Sequence, residues 1–207
     1  MKYKALVPAL AAAALILPTE NALAVKQGDW LVRFGAAQVS PNDGSSGVVA
    51  PDAIGVEDDT QAFINLTYML KDNIGLEILG ATPFTHDITL AGSGKIAETK
   101  HLPPTFSIQY HFQPKESVRP YVGAGINYTT FFNTKTFGAL EGTDLDLDDS
   151  FGLAGEIGAD IILNDTWFLN ASFRYIDIET DAKLDGAKLG AVKIDPYVYG
   201  IHVGMKF

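Results

Sequence analysis

The last eleven residues of the chain alternate between two kinds of side chain. The odd positions, from Tyr197 to Phe207, are apolar or aromatic, and the even positions, from Val198 to Lys206, are mostly glycine or polar. Successive side chains of a β-strand point to opposite faces, so a period of two over this length predicts one long strand with two unlike faces. A helix has a period of 3.6 and does not produce this pattern.

The same alternation recurs in segments of about ten residues, the length with which a tilted strand crosses a membrane. In one of them, Phe106, Ile108 and Tyr110 alternate with serine, glutamine and histidine. Eight segments share the pattern: residues 30–36, 62–70, 74–80, 106–112, 121–128, 151–163, 167–175 and 197–207. The sequence therefore predicts an all-β protein of eight strands.

The connections between these segments are alternately long and short. Short turns fall at residues 71–73, 113–118 and 164–166, and long links at residues 40–60, 82–104, 132–150 and 177–194. This arrangement is typical of an eight-stranded antiparallel up-and-down transmembrane β-barrel with periplasmic turns and four long extracellular loops. A soluble lipocalin-like barrel has its apolar faces inward, and the alternation alone leaves open which face lies inside.

The N-terminus favours the membrane barrel because it predicts export. Lys2 and Lys4 precede an apolar run over residues 5–17, and Ala22 and Ala24 supply the small residues of a cleavage site. This is the pattern of a secretory signal peptide, whereas a membrane-spanning helix needs about 20 apolar residues. We expect residues 1–24 to be removed after export to the periplasm and residues 25–207 to form the barrel.

Composition argues against several other classes. Mean hydropathy is +0.10, and no later stretch reaches 18 uninterrupted apolar residues, so transmembrane helices are not predicted. The formal net charge of −10 argues against nucleic acid as a partner, because phosphates would repel an acidic surface. The chain has no cysteine, which excludes disulfides and thiolate metal sites.

Four stretches resemble the outer membrane protein W (OmpW) family. They are residues 72–77 (DNIGLE), 81–84 (ATPF), 101–105 (HLPPT) and, most specifically, 119–132 (RPYVGAGINYTTFF). The resemblance extends from Gly28 to Phe207, and it implies an eight-stranded barrel in the Gram-negative outer membrane. It also implies a proposed role in passing small hydrophobic molecules inward across the lipopolysaccharide barrier. The terminal Phe207 resembles the signal by which the barrel-assembly machinery recognises its clients.

Charged and polar side chains occupy the face of the strands opposite to the apolar one. Both signs of charge occur, so the set is interpreted either as a path for ions or protons or as a salt-bridged plug. An eight-stranded barrel has room for little more than its own side chains, which favours the plug. This predicted lumen set consists of Arg33, Glu77, His111, Arg119, Glu156, Asp160, Arg174, His202 and Lys206.

A transport route would then have to leave the lumen. Pro83 follows the third strand and lacks an amide donor, so it either opens a gap in the wall or simply ends the strand. Apolar residues in the long links either pack together or meet an apolar ligand. They are Val48, Val49, Ile54, Val56, Leu90, Ile96, Phe131, Phe132, Phe137 and Leu140.

The family resemblance also implies a hydrophobic constriction near the outer end, with an aromatic residue just after an Asp-Ser pair. Here Asp149 and Ser150 precede Phe151, so Phe151 is expected at that constriction. The expected pathway for small hydrophobic solutes consists of Val56, Pro83, Phe131, Phe132 and Phe151.

An acidic run in the third long link begins like a calcium-binding loop, with aspartates at residues 144, 146 and 148. However, the sixth position is Asp149 rather than glycine, and the twelfth is Gly155 rather than glutamate. We therefore expect a solvated acidic loop and neither a metal site nor a cofactor. The alternative considered for this loop is bridging by cations to lipopolysaccharide phosphates.

Three functions are considered on this basis. Passive uptake of small hydrophobic molecules is the leading hypothesis, and a surface-interaction barrel that contacts lipopolysaccharide, host or phage is the alternative. The third is a lipid-modifying enzyme using His86, Asp87, Ser93 and His101. Because these residues show neither a nucleophile elbow nor a fixed His–Ser spacing, an enzyme is not predicted.

Overall fold

The structure consists almost entirely of β-strands. It is a computed structural model that describes residues 24–42, 44–45 and 53–207. The expected signal segment lies outside these residues apart from Ala24, as do Val48 and Val49. The strands are β1 (Trp30–Ser40), β2 (Gly44–Ser45), β3 (Ile54–Val56), β4 (Asp59–Lys71), β5 (Ile74–Ala81), β6 (Phe84–Leu90), β7 (Gly94–Leu102), β8 (Thr105–His111), β9 (Val118–Thr136), β10 (Leu145–Leu147), β11 (Ser150–Ile162), β12 (Trp167–Ile176), β13 (Glu179–Leu184), β14 (Ala187–Lys193) and β15 (Tyr197–Lys206). Within the described residues, no helix is long and apolar enough to span a membrane.

Eight of these strands close into a barrel. Each of β1, β4, β5, β8, β9, β11, β12 and β15 pairs antiparallel with the next. The last strand, β15, returns to β1, from Lys206 opposite Leu31 to Tyr197 opposite Ser40. Since consecutive barrel strands are always neighbours, the topology is up-and-down. The predicted fold class and all eight predicted strands are confirmed.

The apolar face of each barrel strand points outward. Ile201 is 73% exposed and Ile108 is 60% exposed, whereas Arg33 and Asn65 are fully buried. A barrel that is polar inside and apolar outside is stable only when lipid surrounds it, which decides between the two orientations that the sequence left open. Exposed aromatic residues lie toward both ends of the apolar band: Trp30, Tyr110, Phe112 and Trp167 at the short-turn end, and Tyr128, Phe151, Tyr175, Tyr197 and Tyr199 at the other.

Local chemistry explains the short turns. Between β11 and β12, the side-chain oxygen of Asn164 accepts hydrogen bonds from the backbone amides of Thr166 (3.0 Å) and Trp167 (2.9 Å). Asparagine commonly starts a chain reversal in this way. Between β8 and β9, Gln113 adopts a left-handed backbone conformation with a φ of 50°. The short turns gather at one end of the barrel, which leaves the long links together at the opposite end.

The long links contain strands that the sequence did not predict. The β6–β7 hairpin rises above β5 and β8, with β3 paired to β6 and the outer part of β9 paired to β7. A separate four-stranded sheet has the order β10-β13-β14-β2. The two loop sheets pack against one another through buried apolar residues: Ile88, Ile96, Ala97, Leu145 and Ala182.

The interior of the barrel is layered along its axis. The inward side chains of β1 show the order, with Leu31 near the short turns, Arg33 in the middle and Val39 toward the loops. The apolar cluster nearest the short turns comprises Val25, Leu31, Met69, Ile162 and Phe168. A second apolar cluster inside the barrel, nearest the loops, is called the apolar layer. It comprises Ala37, Val39, Phe63, Leu79, Phe84, Ala154, Ile176, Ile178, Ile194 and Val198. Charged and polar groups fill the space between them.

Candidate ligand-binding site

The barrel interior holds two groups of ion pairs. In the first, Arg33 donates to both oxygens of Asp160 at 3.1 and 2.9 Å and to the Thr67 hydroxyl at 2.9 Å. Asn170 donates to the same carboxylate at 2.8 Å and contacts the Nδ1 atom of His202 at 2.9 Å. A two-pronged pair with additional hydrogen bonds is the geometry in which buried charges are best compensated.

The second group is centred on Arg174. One nitrogen of its guanidinium lies 2.8 Å from Glu77 and 2.6 Å from Glu156. The side-chain amide of Gln109 donates to the same two carboxylates at 2.6 and 2.8 Å. Arg174 and Gln109 thus hold together two carboxylates that would otherwise repel each other in a buried site.

The predicted lumen set lies inside the barrel. Lys206 is half-buried near the short turns, and the other members are at most 5% exposed: Arg33, Glu77, His111, Arg119, Glu156, Asp160, Arg174 and His202. Many of these side chains bond to one another rather than line an open passage. Their arrangement supports the interpretation as a plug.

A cavity of about 230 Å³ lies beyond the apolar layer, among the external loops. It lies between the two loop sheets, and most of its lining side chains are aliphatic. Among them are Ile54, Val56, Ile88, Leu145, Leu184 and Leu189. A concave apolar site suits a small hydrophobic ligand, because binding removes apolar surface of both partners from water.

Two of the five residues of the expected pathway line this cavity. Val56 and Phe131 contribute to its wall. Phe132 is the next residue along β9 and therefore points to the opposite face, where it is half-buried. The structure thus places Phe131 in the site and Phe132 outside it.

The expectation for Phe151 was wrong. Its side chain is 70% exposed and lies on the outer wall of the barrel, where it pairs across the sheet with the exposed Tyr128. On the same strand Gly152 and Ala154 point inward, and both are an odd number of residues from Phe151, which therefore points outward. Phe151 therefore belongs to the aromatic band that faces lipid and cannot form a constriction of the interior.

The apolar layer occupies the place expected for the constriction. Phe63, Leu79 and Phe84 are at most 5% exposed and separate the cavity from the ion pairs below. Sequence reasoning missed these residues, although a signal was present. Phe63 stands two positions before the inward Asn65, and Leu79 two positions after the inward Glu77, so both share the parity of the lumen face.

Backbone pairing in the barrel wall is interrupted next to the cavity. The β5–β8 ladder ends where Leu79 faces Thr105, and the β6–β7 ladder begins where Phe84 faces His101. Residues without an amide donor interrupt both chains between the two ladders: Pro83, Pro103 and Pro104. We call this interruption the wall break.

Pro83 also lies beside β4, and there a side chain of β4 replaces part of the backbone pairing. The amide of Thr82 still donates to the carbonyl of Ala62 at 3.0 Å. The amide of Thr85, however, donates to the carboxylate of Asp59 at 2.8 Å. Pro83 itself is exposed on the outer wall. The wall at this level is thus held partly by a side chain, which can rotate more readily than a strand can shift.

Two stacked histidines provide polar groups in the cavity lining. The rings of His86 and His101 lie 4.9 Å apart and only 7° from parallel, and each residue is 2% exposed. Burial, followed by the neighbouring His86, lowers the pKa of His101 from 6.5 to about 3. Burial likewise lowers the pKa of His86. Both rings are therefore neutral at neutral pH.

The enzyme hypothesis drew on the same hairpin. Asp87 pairs with Lys95 at 2.7 Å, and Ser93 is exposed in the turn between β6 and β7. The described hairpin therefore does not arrange these residues as a serine–histidine–aspartate relay. Within the part of the chain that the structure describes, no three His, Cys, Asp or Glu residues are grouped to hold a metal ion.

The chain is similar to outer-membrane proteins over almost its whole length. Residues 26–207 match the family model described as the OmpW family. Outer membrane protein W of Vibrio cholerae is 47% identical and covers 92% of this chain and 94% of its own length. The crystal structure of OprG from Pseudomonas aeruginosa superposes with a TM-score of 0.79 at 36% identity, covering 89% of this chain and 98% of that chain. The dibenzothiophene metabolism operon protein PahQ of Pseudomonas aeruginosa is 27% identical over 88% of this chain and 90% of its own length.

Proposed function

Because the chain belongs to the OmpW family of outer-membrane proteins, we propose that it passively moves small hydrophobic molecules inward, from the loop cavity to an exit in the barrel wall. The barrel itself lies in the Gram-negative outer membrane, embedded in the lipid bilayer. Lipopolysaccharide on the outer surface of that membrane hinders hydrophobic solutes, and a protein pocket offers them a local alternative.

The apolar cavity among the external loops is the observation that carries the proposal. A concave apolar pocket that protein side chains leave unfilled is the usual form of a binding site for a small hydrophobic molecule. Apolar solutes gain roughly 25 cal/mol for each Å² of surface removed from water, so such a cavity captures them without an energy source.

We put the exit at the wall break, because side chains fill the straight route through the barrel. Below the cavity lie the apolar layer and then the ion pairs of Arg174 and Arg33. A hydrophobic molecule gains nothing from that charged interior, whereas the bilayer core beside the barrel is apolar. The wall break adjoins the cavity through His101 and faces outward at Pro83.

One relative adds support of a different kind. PahQ is named for a dibenzothiophene metabolism operon, and dibenzothiophene is a small, largely apolar aromatic compound. A related barrel in such a setting is consistent with a hydrophobic cargo for this protein.

Filling the cavity tests the proposal. In Gram-negative cells that lack their own copy of the protein, the unaltered protein should accelerate uptake of the hydrophobic dye N-phenyl-1-naphthylamine. Val56→Trp adds bulk inside the cavity and should return uptake to the level of cells without the protein. Phe151→Trp changes an aromatic side chain on the outer wall and should leave uptake unchanged.

Equal uptake by the unaltered protein and Val56→Trp would contradict a route through the loop cavity. Exchange of the external loops distinguishes the surface-interaction alternative. Loss of binding to lipopolysaccharide, host cells or phage with unchanged dye uptake would favour that alternative over transport.

A further inference from the structure

The lining of the loop cavity includes a column of aromatic rings. The His86 and His101 rings stack on each other, and the His101 ring is 5.4 Å from Phe84 and 5.8 Å from Phe131. Phe84 belongs to the apolar layer, and His101 lines both the cavity and the small space above Arg174. The two histidines therefore lie where the cavity meets the apolar layer and the wall break.

The hydrogen bonds of His86 determine which of its nitrogens carries the proton. Its Nδ1 atom lies 2.5 Å from the backbone carbonyl of Glu57, and a carbonyl can only accept. Nδ1 is therefore the donor, which leaves Nε2 of the neutral ring as an acceptor with a free lone pair. That Nε2 atom is buried and has no hydrogen-bond partner in the part of the chain that the structure describes.

His101 is still less satisfied. Among the described residues, neither of its ring nitrogens has a hydrogen-bond partner, although His101 is 2% exposed. A neutral imidazole has one donor and one acceptor, so His101 offers one of each. Buried polar groups in proteins are almost always bonded, and an unbonded pair beside a cavity indicates positions that a ligand can use.

The other polar side chains of the lining are already satisfied. The Thr99 hydroxyl is 3.0 Å from the hydroxyl of Thr134, and the Thr180 hydroxyl donates to the carbonyl of Asp148 at 2.6 Å. Unused hydrogen-bonding capacity among the polar side chains of the described lining is therefore concentrated in the two histidines.

We propose that the cavity selects small hydrophobic molecules that carry one hydrogen-bond donor, such as phenols and alcohols, over hydrocarbons and ethers of the same size. The donor binds Nε2 of His86, and His101 offers both a donor and an acceptor to the same polar group. The apolar body of the ligand fills the aliphatic part of the cavity. This inference rests on the proposed function, since it names the chemistry of the molecules that the cavity admits.

The charge state of the histidines agrees with this choice of ligand. Burial holds both rings neutral at neutral pH, so each retains a lone pair. The aspartates that oppose this effect on His86, Asp59 followed by Asp58 and Asp87, do not overcome burial. A neutral acceptor in an apolar cavity binds an O–H group, whereas a carboxylate offers no proton to it.

Three probes with one ring system separate the contributions. Naphthalene has no polar group, 1-methoxynaphthalene can only accept a hydrogen bond, and 1-naphthol can also donate one. Binding is measured by titration calorimetry to the full chain in lipid nanodiscs, with empty nanodiscs subtracted to remove partition into lipid. The unaltered protein should bind 1-naphthol about 2- to 10-fold more tightly than 1-methoxynaphthalene, the range that one net hydrogen bond provides.

Substitutions distinguish the roles of the two histidines. His86→Phe keeps a flat ring in the column but removes the acceptor that binds the ligand's donor, so we expect the ratio between 1-naphthol and 1-methoxynaphthalene to fall close to one. His101→Phe removes an N–H group that can donate to the oxygen of either probe, so it should weaken both of them relative to naphthalene and retain the ratio. Thr99→Val is the matched control, because its hydroxyl is already bonded within the protein, and it should retain the full ratio. Migration of the folded barrel on unheated gels confirms that each variant folds.

The possible outcomes distinguish failure of this inference from failure of the proposed function. A ratio of one in the unaltered protein, or an unchanged ratio in His86→Phe, overturns the inference while naphthalene binding still supports an apolar cavity. Failure of all three probes to bind above empty nanodiscs overturns the proposed function and the inference together.

Discussion

At the scale of single residues, the parity of a position along its strand decides the chemistry around it. In β12, Arg174 and Ile176 are two residues apart and both point inward, yet one joins the ion pairs and the other the apolar layer. Inward charges can be compensated only in the middle of the barrel, where partners from several strands meet. The ends of the interior are apolar, and they keep water from the buried pairs.

Arg174→Met tests this view of the ion pairs. Glu77 and Glu156 would lose the cation that contacts both, so we expect the free energy of unfolding to fall by about 3–5 kcal/mol. Urea unfolding in detergent micelles measures the change. Adding Glu77→Gln and Glu156→Gln to the same protein removes the uncompensated charge and should restore much of the loss. A triple variant no more stable than Arg174→Met would contradict the assignment.

The same parity explains what could be predicted from single residues. The lumen residues were predictable because a charged side chain on a membrane strand has no stable position facing lipid. Phe151 was misplaced because its role came from the family resemblance rather than from its own strand. It is five positions from the inward Glu156, an odd separation that already places it on the outer wall. Apolar residues at inward parity, such as Phe63, carry no charge that would mark them as facing the lumen.

At the scale of elements, the barrel strands were predictable and the loop strands were not. The barrel strands show one lipid-facing side and one enclosed side, so their alternation is complete. By contrast, β14 has no alternation in burial, and its position depends on pairing with β13 and with β2. Contacts between distant segments stabilise these short strands, and a local pattern does not contain that information.

The wall break allows a prediction about one element. Pro83→Ala supplies an amide donor between the ladders, and we expect strand pairing to extend across the break and slow the exit of cargo. Dye uptake should fall several-fold, while the affinity of the cavity for naphthalene in nanodiscs should not change.

Pro120→Ala is the control for this substitution. Pro120 also lies exposed in the wall, but within β9 near the short turns, far along the strand from the cavity. We expect no effect on uptake. Full uptake by Pro83→Ala, or an equal loss in Pro120→Ala, would contradict an exit at the wall break.

At the scale of the whole molecule, a barrel of eight strands has a filled interior, and the candidate binding site lies at its outer end. The interior is filled by layers of apolar and charged side chains, whereas a cavity of about 230 Å³ lies between the loop sheets. The number of strands could be predicted from the sequence, and a barrel of eight strands excludes a wide aqueous pore. The cavity could not be predicted, because it exists only where two loop sheets meet.

Photolabelling maps the route most directly. An aliphatic alcohol carrying a diazirine is added from outside to the protein in membranes with lipopolysaccharide in the outer leaflet. After illumination, labelled residues are identified by mass spectrometry. Ile201 on the lipid-facing wall serves as an internal reference. A route through the loops and the wall break predicts labels on Val56 and Thr82 and none on Gln109, and labels on Gln109 without Thr82 would contradict it.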